Sequence, residues 1–179
     1  MDRILNSNYS APCEPTWRIL DPKDAKSLMD LRHQAIGEAP TYFGTPKHIE
    51  FAKSLGSFRR ELQLSQTMGD SAILGVWLEN ELIGMAGVKI RQVQGRKVGL
   101  IYSMYVKTPY RGQGIGRELV IKAKEEIHRR WQLTHCQMNV EVDNQKALRL
   151  YKTCGFEITG KEERAFWIDG IAHDVYVLE

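Results

Sequence analysis

The spacing of apolar residues predicts helices in the first third of the chain. Trp17–Leu20 is typical of a short strand, and Asp21–Asp24 then supplies an N-cap residue, a proline at N1 and an acidic N3 residue. A first helix therefore begins there. The next apolar positions recur at i, i+4, i+7 and i+11 and predict one continuous second helix starting near Thr45-Pro46, which Gly56 weakens without breaking. These positions are Phe51, Leu55, Phe58 and Leu62.

After Gly69 the pattern changes to one typical of strands. Ala72–Leu78, Leu82–Ile90 and Gly99–Val106 are rich in β-forming residues and are separated only by short polar segments. Such connections are too short for parallel crossovers, so the three runs predict an antiparallel meander.

In the last third of the chain, segments with the apolar spacing of helices alternate with segments that have the spacing of strands. The pattern predicts a helix from about Gly116 to Trp131, a strand over Cys136–Val142 and a short helix over Asn144–Thr153 that Gly155 ends. A closing hairpin is expected from about Glu163–Ile168 and Ile171–Leu178, around the Asp169-Gly170 pair that suits a type I′ turn. We expect residues 1–15 to form a flexible tail and residues 16–179 to form the domain.

Composition places the chain among ordinary globular proteins. Its 179 residues are 42% apolar and 26% charged, with a formal net charge of +3. This charge is too small to predict nucleic-acid binding. A basic group of four residues fits either a solvated hairpin tip or a contact for an acidic partner: Lys89, Arg91, Arg96 and Lys97. No run is long enough to cross a membrane and Met1–Cys13 lacks the apolar core of a signal peptide, so we expect a cytoplasmic protein.

Neither cysteine nor histidine spacing favours a metal site. Cys13, Cys136 and Cys154 form no CxxC pair and are expected to be free, buried thiols. The histidines are scattered, without an HExxH pair, so metal dependence is not expected: His33, His48, His128, His135 and His173. No GxSxG elbow is present either.

A glycine-rich loop leads directly into the third predicted helix and is the most informative segment. Gly112, Gly114 and Gly116 allow backbone amides to converge on one point, and the helix adds its unpaired N–H groups and positive dipole end. This combination predicts a site for a phosphate or pyrophosphate. A tight strand-to-helix turn without a ligand remains the alternative.

The loop does not match two common phosphate-binding motifs. Arg117 and Glu118 stand where a P-loop has lysine followed by serine or threonine, so ATP is not expected. The glycines are spaced two and two, unlike the G-x-G-x-x-G dinucleotide fingerprint, and the loop does not open a βαβ unit.

Two motifs together resemble the GNAT superfamily of N-acetyltransferases. Arg111-x-x-Gly114-x-Gly116 after an apolar strand is similar to its acetyl-CoA-binding motif. Downstream, Asn144–Phe156 is similar to its N-x-x-A-x-x-x-Y-x-x-x-G-F pattern. The resemblance implies a single α/β domain with a mixed, mainly antiparallel central sheet flanked by helices. It also implies transfer of an acetyl group from acetyl-CoA to a primary amine by direct nucleophilic attack.

The resemblance implies roles for individual residues. Backbone groups of the loop would hold the pyrophosphate and those of the preceding strand would pair with the pantetheine arm, with an amide near Met104 polarising the thioester carbonyl. Asn144 would contact the CoA arm, or serve only as an N-cap. Tyr151 would protonate the departing thiolate, or simply pack against the sheet. The implied cofactor-binding residues are Met104, Tyr105, Val106, Arg111, Gly112, Gln113, Gly114, Ile115, Gly116 and Asn144.

The acceptor side is less defined by the sequence. Asn139 occupies the position where some relatives carry a glutamate base, so the base is unassigned, with Glu141 and Asp143 as candidates to hold a water or the amine. Tyr42, Tyr102 and Tyr105 are candidates for an acceptor slot. A protein N-terminus, a lysine, a polyamine or a small-molecule amine all fit. A non-catalytic acyl-CoA sensor or interaction module is the alternative function, and an exposed C-terminal hairpin would allow a homodimer.

Overall fold

The computed structural model describes residues 14–179. The expectations for Cys13 and for Met1–Cys13, including most of the predicted tail, lie outside the described residues. The first strand begins at Thr16.

Within residues 14–179, seven strands form one mixed sheet. The strands are β1 Thr16–Ile19, β2 Ser71–Leu78, β3 Glu81–Val93, β4 Arg96–Val106, β5 Cys136–Glu141, β6 Ile158–Ile168 and β7 Ile171–Leu178. Their order in the sheet is β1-β2-β3-β4-β5-β7-β6. Of these neighbouring pairs, β4 and β5 run parallel and the others antiparallel. The predicted sheet class and the antiparallel meander are therefore confirmed.

Six helices cover the two faces of this sheet. They are α1 Ala25–Glu38, α2 Pro40–Phe43, α3 Lys47–Phe51, α4 Leu55–Met68, α5 Ile115–Trp131 and α6 Gln145–Thr153. The Asp21 side chain accepts a hydrogen bond from the Lys23 amide in a capping box with Asp24, as predicted, although the first turn is a 3₁₀ turn that leads into α1. One layer of core residues packs the sheet against α1 and α4, and a second packs it against α5 and α6.

The prediction of one continuous second helix was wrong. The chain forms α3, leaves helical geometry near Lys53, and starts again at α4, where the Ser54 hydroxyl accepts a hydrogen bond from the Ser57 amide. This cap begins a new helix. Phe51 is consequently 51% exposed and does not continue the apolar face of Phe58. The short helix α2 was not predicted.

Two hairpins are longer than their apolar residues indicated. β3 and β4 continue to a tight turn at Gln94-Gly95, where both residues have positive φ, and β6 begins at Ile158 rather than near Glu163. Polar strand ends gain backbone hydrogen bonds without an apolar pattern, so their side chains carry little signal. The predicted turn at Asp169-Gly170 does have positive φ at both residues, as a type I′ turn requires.

Gly99 allows α5 to approach the sheet closely, and this contact predicts a stability effect. A Cβ atom at Gly99 would lie 2.3 Å from the Ile127 side chain, which is fully buried. We expect Gly99→Ala to lower the free energy of unfolding by about 1–3 kcal/mol through overpacking. Gly160→Ala is the matched strand control, because its Cβ would meet Val177 at 3.8 Å. Urea denaturation checks both variants, and equal losses would contradict the prediction.

Candidate active site

Strands β4 and β5 separate to form the cavity that contains most of the predicted site. They pair only from Gly99–Cys136 to Ile101–Met138. Beyond that point their facing edges part, and a cavity of about 600 Å³ opens between them. Parted parallel strands leave backbone donors and acceptors free for an extended ligand.

A β-bulge in β4 changes which side chains face each side of the sheet. Ser103 has a φ of 49°, and the register with β3 shifts between the partners of Met85 and Gly87. Ile101 and Tyr105 would share a face in a regular strand, yet Ile101 packs towards α5 and Tyr105 towards α1. A bulge leaves a residue outside the sheet's hydrogen-bond ladder, which suits an amide that polarises a carbonyl.

The glycine loop lies at one end of the cavity and is open to a ligand. Gly112 and Gly114 have φ of 78° and 83°, and an added Cβ at either residue would meet nothing within 4 Å. Gly114 is also the N-cap of α5, which has no side-chain cap. The first amides of this long helix therefore lack intrahelical acceptors. The Arg111 side chain anchors the loop by donating from Nε to the Val106 carbonyl at 2.7 Å.

Most of the predicted cofactor-binding residues lie together on the cavity wall. The side chains of Gln113 and Ile115 do not, because Gln113 donates to the Pro109 carbonyl and Ile115 is buried in the core. The roles of all these residues remain predictions. The predicted residues that line the cavity are Met104, Tyr105, Val106, Arg111, Gly112, Gly114, Gly116, Asn144 and Tyr151.

Asn144 is placed so that it can serve both as the N-cap and as a contact for a ligand, the two alternatives that the sequence allowed. Its Oδ1 atom accepts a hydrogen bond from the Ala147 amide at 3.2 Å, so it is the N-cap of α6. It also lines the cavity. Capping uses the amide oxygen and leaves the NH₂ group free to donate, so cap and ligand contact are compatible.

Tyr151 extends from α6 into the same cavity with only 8% of its surface exposed. Burial raises the pKa of Tyr151 to about 12. Among the described residues, none accepts a hydrogen bond from its hydroxyl. The phenol therefore stays protonated at physiological pH and has a proton to donate.

The carboxylates considered as bases do not reach the cavity. Glu141 is buried, accepts a hydrogen bond from the Asp143 amide and lies 3.5 Å from His173. Neither Glu141 nor Asp143 lines the cavity, whereas Asn139 does. The base therefore stays unassigned.

Glu38 is a cavity residue that the sequence interpretation missed. It is the last residue of α1 and lines the cavity together with Tyr42, Tyr102 and Tyr105. Burial alone would raise the pKa of the Glu38 carboxyl, but hydrogen bonds from Tyr105, Gln34 and Arg111 outweigh it and lower the pKa. An acidic residue at the C-terminus of a helix interacts unfavourably with the helix dipole. This was the feature of the sequence that could have indicated a functional role for Glu38.

Other sequence expectations concern groups away from the cavity. Cys136 is a buried free thiol and Cys154 a partly buried one. Within residues 14–179 no set of three His, Cys, Asp or Glu side chains is placed to hold a metal ion. In the same range, no helix is both long and apolar enough to cross a membrane.

Comparisons with known proteins agree with this geometry. The sequence pattern of the acetyltransferase (GNAT) family matches residues 37–156. No curated protein sequence matches the chain.

Solved structures share the fold. An acetyltransferase of the GNAT family from Streptococcus pneumoniae is 24% identical, with a TM-score of 0.79 over 92% of this chain and 98% of that one. A ribosomal-protein-alanine N-acetyltransferase from Brucella melitensis is 23% identical, with a TM-score of 0.77 over 91% and 97%. A spermidine N-acetyltransferase from Vibrio cholerae, in complex with CoA and spermine, is 20% identical, with a TM-score of 0.75 over 92% and 93%.

Proposed function

The chain belongs to the GNAT family of acetyltransferases, and we propose that it transfers the acetyl group of acetyl-CoA to a primary amine by direct attack of the amine on the thioester. The glycine loop is the observation that carries this proposal. Gly112 and Gly114 place open space beside backbone N–H groups, and the uncapped N-terminus of α5 adds further donors. Such a cradle suits a pyrophosphate.

The charges around the loop support the same ligand. Arg111 and Arg117 belong to the loop and the first turn of α5, Lys146 belongs to α6, and all three line the cavity, where each would favour a phosphate. Between this end and Tyr151, the parted edges of β4 and β5 provide a backbone to which an extended pantetheine arm can pair. The residues present therefore fit acetyl-CoA, which supplies the activated acetyl group.

Tyr151 supplies the proton that the departing sulfur needs. In the overall reaction the amine nitrogen bonds to the acetyl carbon, the carbon–sulfur bond breaks, the sulfur gains a proton and the nitrogen loses one. The pKa of about 12 exceeds the ordinary thiol value of about 8.5, so transfer to a free thiolate would cost about 5 kcal/mol. Tyr151 therefore donates while the bond breaks, and the proton lost by the amine restores the phenol.

The acceptor is proposed only as a primary amine. The neighbours include enzymes named for a ribosomal-protein alanine and for spermidine, so protein N-termini and polyamines both belong to the candidates. Lysine side chains and small-molecule amines complete the set. A cytoplasmic location and a homodimer stay predictions from the sequence.

Acetyl-CoA binding gives the first test of the proposed function. Ligand at about 100 times its Kd adds about 2.7 kcal/mol to the folded state, which we expect to raise Tm by about 5–10 °C for a chain of this size. Differential scanning fluorimetry measures this shift. The control ligand is adenosine, which lacks the pyrophosphate and the pantetheine arm. An unchanged Tm at saturating acetyl-CoA would rule the proposal out.

Release of free CoA in a panel of amines gives the second test. Thiol release that depends on the amine distinguishes an enzyme from a non-catalytic acyl-CoA sensor. A sensor would show the Tm shift without turnover by any acceptor in the panel.

A further inference from the structure

Glu38 is the one acidic side chain that lines the cavity within the described residues. Its Oε1 atom accepts hydrogen bonds from the Tyr105 hydroxyl at 2.8 Å and from Gln34 at 3.1 Å. Its Oε2 atom accepts from Arg111 Nη2 at 3.0 Å. Tyr105 and Gln34 are neutral donors, so Arg111 is the one charged partner of the carboxylate among the described residues.

The ion pair with Arg111 is exchangeable. The side chains of Arg111 and Glu38 are 50% and 36% exposed, and exposed pairs of this kind contribute little stability. Arg111 also keeps a second anchor at the Val106 carbonyl. Another cation can therefore take its place on Oε2 without disrupting the loop.

The cavity wall carries the basic side chains of Arg111, Arg117 and Lys146 and the single carboxylate of Glu38. Arg111 reaches Glu38 through their ion pair, so a cationic ligand at Glu38 would compete with Arg111 for the carboxylate. Beside that carboxylate the wall is aromatic, because Tyr105 donates to it and the ring centroid of Phe43 lies 6.2 Å from that of Tyr105. Tyr42 and Tyr102 line the same cavity. A carboxylate with aromatic faces beside it favours an organic ammonium group.

We propose that Glu38 binds a positively charged nitrogen of the acceptor, and that the acceptor is therefore an amine with a second cationic centre, such as a diamine. This inference rests on the proposed acetyl transfer. The nitrogen that attacks must be uncharged, whereas an ionised carboxylate selects a charged one, so the two nitrogens are different atoms of one acceptor. The lowered pKa of Glu38 supports a binding role rather than that of a base.

The test uses straight-chain diamines of several lengths as acceptors. Each diamine is compared with the monoamine of equal length and with the amino acid in which a carboxylate replaces the second amine. CoA release is measured with the intact chain and with Glu38→Gln. We expect the best diamine to exceed its monoamine about tenfold or more in kcat/KM, mainly through KM, and the amino acid to be poorest. In Glu38→Gln this charge preference should disappear, so that diamine and monoamine have similar kcat/KM.

Glu81→Gln is the matched control. Glu81 accepts hydrogen bonds from Lys107 and Tyr110 beside the same loop, but it does not line the cavity. This variant should keep the preference for diamines, since it removes a carboxylate beside the loop that does not line the cavity.

The possible results separate this inference from the proposed function. Equal use of monoamine and diamine, or a preference that survives in Glu38→Gln, overturns the role of Glu38 while acetyl transfer stands. A 10²–10⁴-fold loss of kcat with altered pH dependence in Glu38→Gln would make it a base and also overturn the inference. No Tm shift with acetyl-CoA and no CoA release with any amine would reject both.

Discussion

Tyr151→Phe is expected to lower kcat about 10²–10⁴-fold while the affinity for acetyl-CoA stays unchanged. The phenylalanine ring keeps the packing of a side chain that is only 8% exposed, and it removes the proton that the sulfur needs. Steady-state CoA release gives kcat, and isothermal titration of acetyl-CoA gives the affinity.

Tyr110→Phe is the control for this variant. Tyr110 lies next to the glycine loop, and its hydroxyl donates to Glu81 outside the cavity. Its replacement should leave kcat near the normal value. A loss of less than about threefold in Tyr151→Phe would limit Tyr151 to a packing role.

The pH profile gives an independent view of the same residue. Because burial raises the pKa of Tyr151 to about 12, the acid form persists below that pH and is lost only above it. The rate should therefore rise as the acceptor amine deprotonates and show no decline up to about pH 10. A decline near pH 8 would mean that another group, with a lower pKa, supplies the proton.

Gly114→Ala is expected to weaken acetyl-CoA binding by about 100-fold or more. Gly114 has a φ of 83°, and its side of the loop is open space, where a methyl group would block the approach of the pyrophosphate to the amides. Loss of two charge-assisted hydrogen bonds accounts for an effect of this size. Isothermal titration with acetyl-CoA measures it.

Gly95→Ala separates this effect from backbone strain. Gly95 has a φ of 79° and nothing within 4 Å of an added Cβ, but it lies at the turn between β3 and β4. Both variants carry a similar strain of about 1–2 kcal/mol, and only Gly114→Ala should change the affinity. Equal affinities in the two variants would remove the loop from the binding site.

The alternating apolar pattern was enough to predict the antiparallel meander, whereas the mixed sheet was implied by the resemblance to the GNAT superfamily. Short polar connections force antiparallel pairing, and a long helix between β4 and β5 permits the parallel pair. The pattern failed at Phe51. The helical spacing of apolar residues continues past this residue in the sequence, but the chain starts a new helix at the Ser54 cap. A cap depends on one polar contact and can override the periodicity on either side of it.

By itself the sequence determined the antiparallel meander, helix α5 and the glycine loop that opens it, because these depend on local spacing and on conformations that only glycine adopts readily. The tertiary structure decided which residues form the part of the cavity that is proposed to bind the acceptor. The bulge at Ser103 directs Tyr105 towards α1, and Glu38 meets Tyr105 across 67 positions of the chain. No local pattern encodes such a contact, since it forms only when α1 packs on the sheet.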